Sequence, residues 1–186
     1  MSINLQKGQR LDVGLSKIHV GLGWDPSEGK SNFEYDLDAS AFMLGANKKL
    51  PGDQFFIFYN NRTSPDGAVA AGEDDQSGQS TQGGDDETLD IDLDRVDQRV
   101  QEILICVSIH DAETRRQNFG QVGNAFIRIV NRQDNVELAK YELAEDFSVE
   151  TAVEFGRLYR RDSAWRFEAV GIGYRGGLAE LVSRYQ

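Results

Sequence analysis

The chain has 186 residues, is 39% hydrophobic and 10% aromatic, and carries a formal net charge of −11. That is an ordinary soluble composition at a length that suits a single domain over residues 1–186; no apolar run approaches the roughly 18 residues of a membrane span. The negative balance repels nucleic acid and anionic lipid, so neither is expected as a direct partner, and the lone Cys106 excludes an internal disulfide framework.

Strand patterns dominate. His19 to Trp24 alternates apolar with small or polar residues. Phe33 to Ala39 does so with Phe33, Tyr35 and Leu37 on one face, which puts Asp36 and Asp38 together on the other. The apolar runs Phe55–Tyr59 and Ile103–Ile109 read as strands buried on both sides, and Cys106 as a small buried hydrophobe rather than a reactive thiol. Leu89, Ile91 and Leu93 alternate with Asp90, Asp92 and Asp94, the pattern of a strand with a solvated acidic face. Ala125–Val130 and Glu137–Tyr141 flank the polar turn Asn131–Asn135, a predicted hairpin. Thr151–Arg160 fits strand or helix, Trp165–Gly171 is a strand, and Leu178, Leu181, Val182 and Tyr185 mark a short C-terminal helix. The expected fold is all-β: an antiparallel β-sandwich with long ion-binding loops and a few short helices.

The chemistry is concentrated between Gly72 and Asp97, where ten acids (Glu73, Asp74, Asp75, Asp85, Asp86, Glu87, Asp90, Asp92, Asp94 and Asp97) face one base, Arg95. Six of them flank the glycine-rich stretch GEDDQSGQSTQGGDDE, Gly72 to Glu87. Such a stretch reads either as a solvated loop or as a site for a cation. If the loop folds back so that its ends meet, like charges about 5 Å apart repel by about 3 kcal/mol per pair at an effective dielectric near 20. A cation would relieve that repulsion. With two histidines and one cysteine in the chain, softer metals are poorly served, and flexible carboxylate-rich loops favour calcium over magnesium. Other polar residues stand at strand ends whose loops could converge on the same place: Asp25, Asp36 and Asp38, Asn60 and Asn61, the turn Ser64–Gly67 with Asp66, and Asp111 after His110. Two familiar motifs fail. Gly23 to Ser31 has the wrong glycine spacing for a phosphate loop and leads into a strand rather than a helix. An EF-hand placed with Gly78 at its turn ends on Gly84 instead of a bidentate Glu.

These residues carry a resemblance. VGLGWD (Val20–Asp25), YDLDASAFML (Tyr35–Leu44), FYNNRTSPDGAV (Phe58–Val69), GGDDE (Gly83–Glu87), VSIHDAE (Val107–Glu113), FGQVGNAFIRIVN (Phe119–Asn131) and FGRLYRRDSAWRFEAVGIGY (Phe155–Tyr174) together resemble the TerD family of tellurium-resistance and stress proteins, in order across nearly the whole chain. The resemblance implies a calcium-binding sandwich somewhat like C2 domains, whose acidic motif GDN-x-TG precedes GDDE. Here Asp74-Asp75-Gln76-Ser77-Gly78 stands in place of DN-x-TG, with Asp75 replacing the asparagine, and the stretch before GDDE is longer by about two residues. By that resemblance the metal ligands are Asp25, Asp36, Asp38, Asp66, Asp74, Asp85, Asp86, Glu87 and Asp111, divided between two adjacent calcium ions. Asn60, the carbonyl of Gly72 and Asp75 join them as further candidates. The implied role is resistance to tellurite and related stresses, with other resistance proteins near the inner membrane as partners.

Two function classes follow. In the first, calcium locks the loops into a surface that a partner protein recognises, and the chain is not an enzyme. In the second, the acidic cluster serves a divalent-metal-dependent hydrolase, with His110 beside Asp111 as its acid–base group. The first is preferred because nothing else in the sequence supplies acid–base chemistry. The N-terminal stretch MSINLQKGQRLDVGLS lacks a basic start and an apolar core for export. A cytoplasmic protein, peripheral at most to the inner membrane, is expected.

Overall fold

The computed structural model describes residues 5–11, 14–78 and 84–186. Residues 79–83, the middle of the acidic loop, lie outside them, as do any ligands that stretch supplies. Two antiparallel sheets face each other. The larger holds β1 (Arg10–Leu11), β3 (Leu37–Leu44), β4 (Phe56–Ile57), β7 (Glu102–Ile109), β10 (Ala152–Arg161) and β11 (Ala164–Tyr174) in the order β1-β11-β10-β7-β3-β4. The smaller holds β2 (Lys17–Gly23), β5 (Val69–Ala71), β6 (Glu87–Asp92), β8 (Phe126–Asn131) and β9 (Val136–Glu142) in the order β5-β6-β2-β8-β9. Short helices α1 (Ala112–Arg115) and α2 (Leu143–Asp146) sit in connections, and α3 (Gly177–Tyr185) closes the chain. Among the described residues no helix is long and apolar enough to cross a membrane.

The inward faces of both sheets supply the main core, with Val20, Leu22, Ile103, Ile105, Ile127, Phe155 and Phe167 almost wholly buried. A second apolar cluster lies on the outer face of the larger sheet, where Phe42, Phe56, Leu104 and Cys106 are covered by Leu181 of α3. That cover explains why β7 reads as apolar on both faces and why β3 and β7 are buried at every position.

Three strands differ from their sequence patterns. The strand expected over Phe33–Ala39 runs instead over Leu37–Leu44; Phe33 is half exposed, and the Arg115 guanidinium lies 5.8 Å from its ring centre. The aromatic run at 55–59 pairs only through Phe56 and Ile57, because Phe58 and Asn61 close a turn by reciprocal backbone hydrogen bonds. Thr151–Arg160 is strand, and its uneven pattern has a cause. A β-bulge between Glu154 and Gly156 shifts the inward positions from Val153 and Phe155 to Leu158.

Candidate metal centre

One group of carboxylates gathers where the two sheets meet at one end of the sandwich. Asp38 of β3, Asp74 of the loop after β5 and Glu87 at the start of β6 each offer an oxygen, and the three oxygens lie within 4.8 Å of one another. Each arrives for a local reason. β4 pairs only with Ala41 and Phe42 of β3, so the Ala39 N–H lies beyond its reach and donates instead to Glu87 Oε2 at 2.9 Å. That bond draws Glu87 across from the smaller sheet. Asp38 projects from the next residue and is 3% exposed, so its carboxylate is held out of solvent. Asp74, by contrast, is exposed and approaches from the loop.

Burial governs the electrostatics. Desolvation, with Asp36 and Asp74 nearby, pushes the Asp38 carboxyl from 3.8 up to about 8. Desolvation also pushes Glu87 from 4.5 up to about 9, with Asp38 and Asp74 adding to it and the Ala39 N–H opposing it. Asp36, also buried, is raised by desolvation, which His110 and Arg115 partly offset; Arg115 Nη1 lies 3.7 Å from its carboxylate. Buried carboxylates that cannot all ionise together need either protons or a cation.

The remaining expected ligands hold other posts. Asp75 Oδ1 accepts from the Ser77 N–H, the Ser77 hydroxyl and the Gly78 N–H, which folds the start of the acidic loop into a tight turn. Gly78 closes that turn at φ +69°, with the Trp24 indole where a side chain would go. Asp86 Oδ2 accepts the Trp24 N–H at 2.9 Å and fastens the loop's return to β2. Asp85 faces away from the cluster: it takes both the Nε and an Nη of Arg128 at 2.9 Å and lies 3.3 Å from His19 Nε2. Its carboxyl is held below the usual range, as the hydrogen bonds from His19 and Arg128 outweigh its burial.

Asp25 accepts from the Asn124 amide, and Asp66 stitches its own turn through Ser64, Ala68 and the Asp97 N–H. Asn60 is exposed in the turn after β4. The Gly72 carbonyl accepts from Arg62 at 2.5 Å, in a recess shared with Asp74 and Glu87. Asp111 stands at the rim with φ +49°, its carboxylate 3.5 Å from His110 Nε2, while His110 Nδ1 lies 3.9 Å from Asp38. Of the twelve expected residues the fold thus brings Asp38, Asp74 and Glu87 into one group, with Asp36 and Gly72 beside it and Asp111 linked through His110. Arg62 and Arg115, each on a group of the site, were not anticipated, since neither stands out by spacing or periodicity.

Comparison with known proteins agrees with this architecture. The profile of the TerD domain matches residues 1–185. The chain is 49% identical to tellurium resistance protein TerD of Alcaligenes, over all of this chain and 97% of that protein. It is 46% identical to general stress protein 16U of Bacillus subtilis, again over all of this chain and 97% of the relative. In fold it is similar to SCO6318 of Streptomyces coelicolor, solved as a homologue of a telluride resistance protein; the TM-score is 0.79 at 23% identity, over 91% of this chain and 96% of that one. The chain belongs to the TerD family of tellurium-resistance and stress-response proteins.

Proposed function

We propose that this protein is a calcium-dependent binding module that acts in the stress responses of its family, and that Asp38, Asp74 and Glu87 hold the ion. The observation that carries this reading is the convergence of three carboxylates within 4.8 Å, two of them buried. The donor set is all oxygen and anionic, as a hard cation requires. A divalent ion would replace the protons that burial otherwise forces onto Asp38 and Glu87. Bound there, it would tie the loop residue Asp74 to two strands of different sheets, so occupancy would fix the loop's surface for a partner protein. Related resistance proteins near the inner membrane fit the family's role as partners. The test is a pull-down from cell extract with calcium and with chelator, beside thermal unfolding in calcium and in magnesium. Calcium-dependent capture with a calcium-selective rise in the midpoint supports the reading. Capture and midpoint indifferent to calcium refute it.

One observation favours a second reading, a metal-dependent hydrolase: His110 stands between Asp38 and Asp111, next to the carboxylate cluster. Turnover of phosphodiesters or phosphomonoesters in calcium or magnesium, lost in His110→Gln, would establish it; absence of turnover would remove it.

A further inference from the structure

Beside the carboxylate cluster, a groove of about 770 Å³ runs between α3 and the aromatic end of β4. That volume lies within the range of ligand-binding clefts. One wall is aromatic. Phe56 and Phe58 stack with ring centres 4.5 Å apart, and Tyr59 meets Phe58 edge-on at 5.0 Å. Leu178 and Val182 of α3 form the other wall. Ser108 of β7 also lines the groove; it is 1% exposed, and its hydroxyl has no hydrogen-bond partner among the described residues. A buried polar group without a partner costs about 1–3 kcal/mol, so this one calls for a ligand atom. The rim is acidic. Leaving Asp38 to the cation cluster, Asp53, Asp111 and Glu113 stand against Arg175 and His110, the latter 3.5 Å from Asp111.

We propose that this groove binds a lysine side chain presented by an extended segment of a partner protein. Its aliphatic stem matches the walls of Phe56, Phe58, Leu178 and Val182, and the acidic rim attracts its ammonium. The head group brings three donors, one of which the Ser108 hydroxyl accepts. Arginine fits less well, since its planar fork seeks paired acceptors. The acidic rim rejects anionic groups, including phosphate and lipid headgroups. Asp53, Glu113 and Ala179 are exposed along the lip, which leaves room for the chain to enter and leave on either side of the lysine. The proposal goes beyond the calcium reading: Asp38 borders both places, but Asp53, Asp111 and Glu113 of the rim lie outside the Asp38–Asp74–Glu87 group.

The experiment titrates ¹⁵N-labelled protein, in chelator, with a short capped peptide alternating lysine and leucine, and with its glutamate counterpart. The lysine peptide should shift the amides of Phe58, Ser108 and Val182 saturably, and the glutamate peptide should not. Two variants test the groove separately. Ala179→Trp fills the lip, and Asp53→Lys with Glu113→Lys reverses the rim; each should weaken the lysine peptide by about tenfold or more. Dispersed spectra of both variants show that they fold. No saturable binding, equal binding of the two peptides, shifts confined to other surfaces, or unchanged affinity in both variants overturns the proposal. So does a groove that responds to phosphatidylserine vesicles but not to the lysine peptide.

Discussion

Without a cation, the stability of this protein is predicted to fall as pH rises through neutrality, the reverse of the usual carboxylate behaviour. Asp38 and Glu87 have folded values of about 8 and about 9, against ordinary values of 3.8 and 4.5. Between these limits the folded chain holds two protons that the unfolded chain has released. Stability therefore declines with pH at up to about 1.4 kcal/mol per unit for each group, or about 2.7 kcal/mol per unit for both. Over pH 6 to 8 that approaches about 5 kcal/mol, comparable to the whole stability of a marginal domain. His19, raised chiefly by its hydrogen bond to Asp85, adds loss of the same sign as pH passes its folded value. Glu87→Gln isolates the cluster: its amide oxygen still accepts the Ala39 N–H, while its proton is gone from the balance. Urea unfolding in chelator at several pH values should show the steep decline in the parent and about half of it in Glu87→Gln. In saturating calcium the cluster's share of the decline should vanish, leaving that of His19. Flat or rising stability with pH in chelator, or an unchanged slope in Glu87→Gln, would mean that Asp38 and Glu87 do not hold these protons in the folded chain.

Three further outcomes are expected. Asp85→Asn should leave calcium affinity almost unchanged and cost about 1 kcal/mol of stability, since Asp85 serves Arg128 and not the cluster; calcium titration and chemical denaturation of this variant separate the two effects. Gly78→Ala places a methyl group at φ +69° and 2.6 Å from the Trp24 indole nitrogen, so it should lose at least about 1–2 kcal/mol, read as a lowered thermal midpoint. Cys106 is fully buried and its thiol is raised by desolvation; it should resist a thiol reagent in the native protein and react at the rate of unfolding.

The sandwich was legible in the sequence because period-two alternation survives wherever one face meets the core, as at Leu89 and Ile91 beside the exposed Asp90. It failed at β3 for a definite reason. A second apolar layer beneath α3 buries Phe42 and Leu44 on the outer face, and Asp36 and Asp38, which alternation put together on one face, are buried too. The bulge in β10 likewise hid a strand behind an uneven pattern. Within the site, the sequence marked Asp74 and Glu87 through charge density around glycines. It could not sort Asp85 from its neighbours, because Arg128 stands 43 residues away on a strand that only the fold brings alongside. Asp75 and Asp86 illustrate a further limit: a loop dense in carboxylates also spends some of them on its own backbone, and sequence does not say which.

Whether Asp38, Asp74 and Glu87 form a specific calcium site is decided by calorimetric titration of chelator-stripped protein with calcium at neutral pH. Asp74→Asn and Asp94→Asn are titrated beside it, since both residues are exposed and the same charge is removed. Saturable binding is expected of the parent and of Asp94→Asn, with protons released as calcium displaces them from Asp38 and Glu87. Affinity should be weaker by about tenfold or more in Asp74→Asn. Absence of saturable binding, or equal affinity in the two variants, would contradict a specific site.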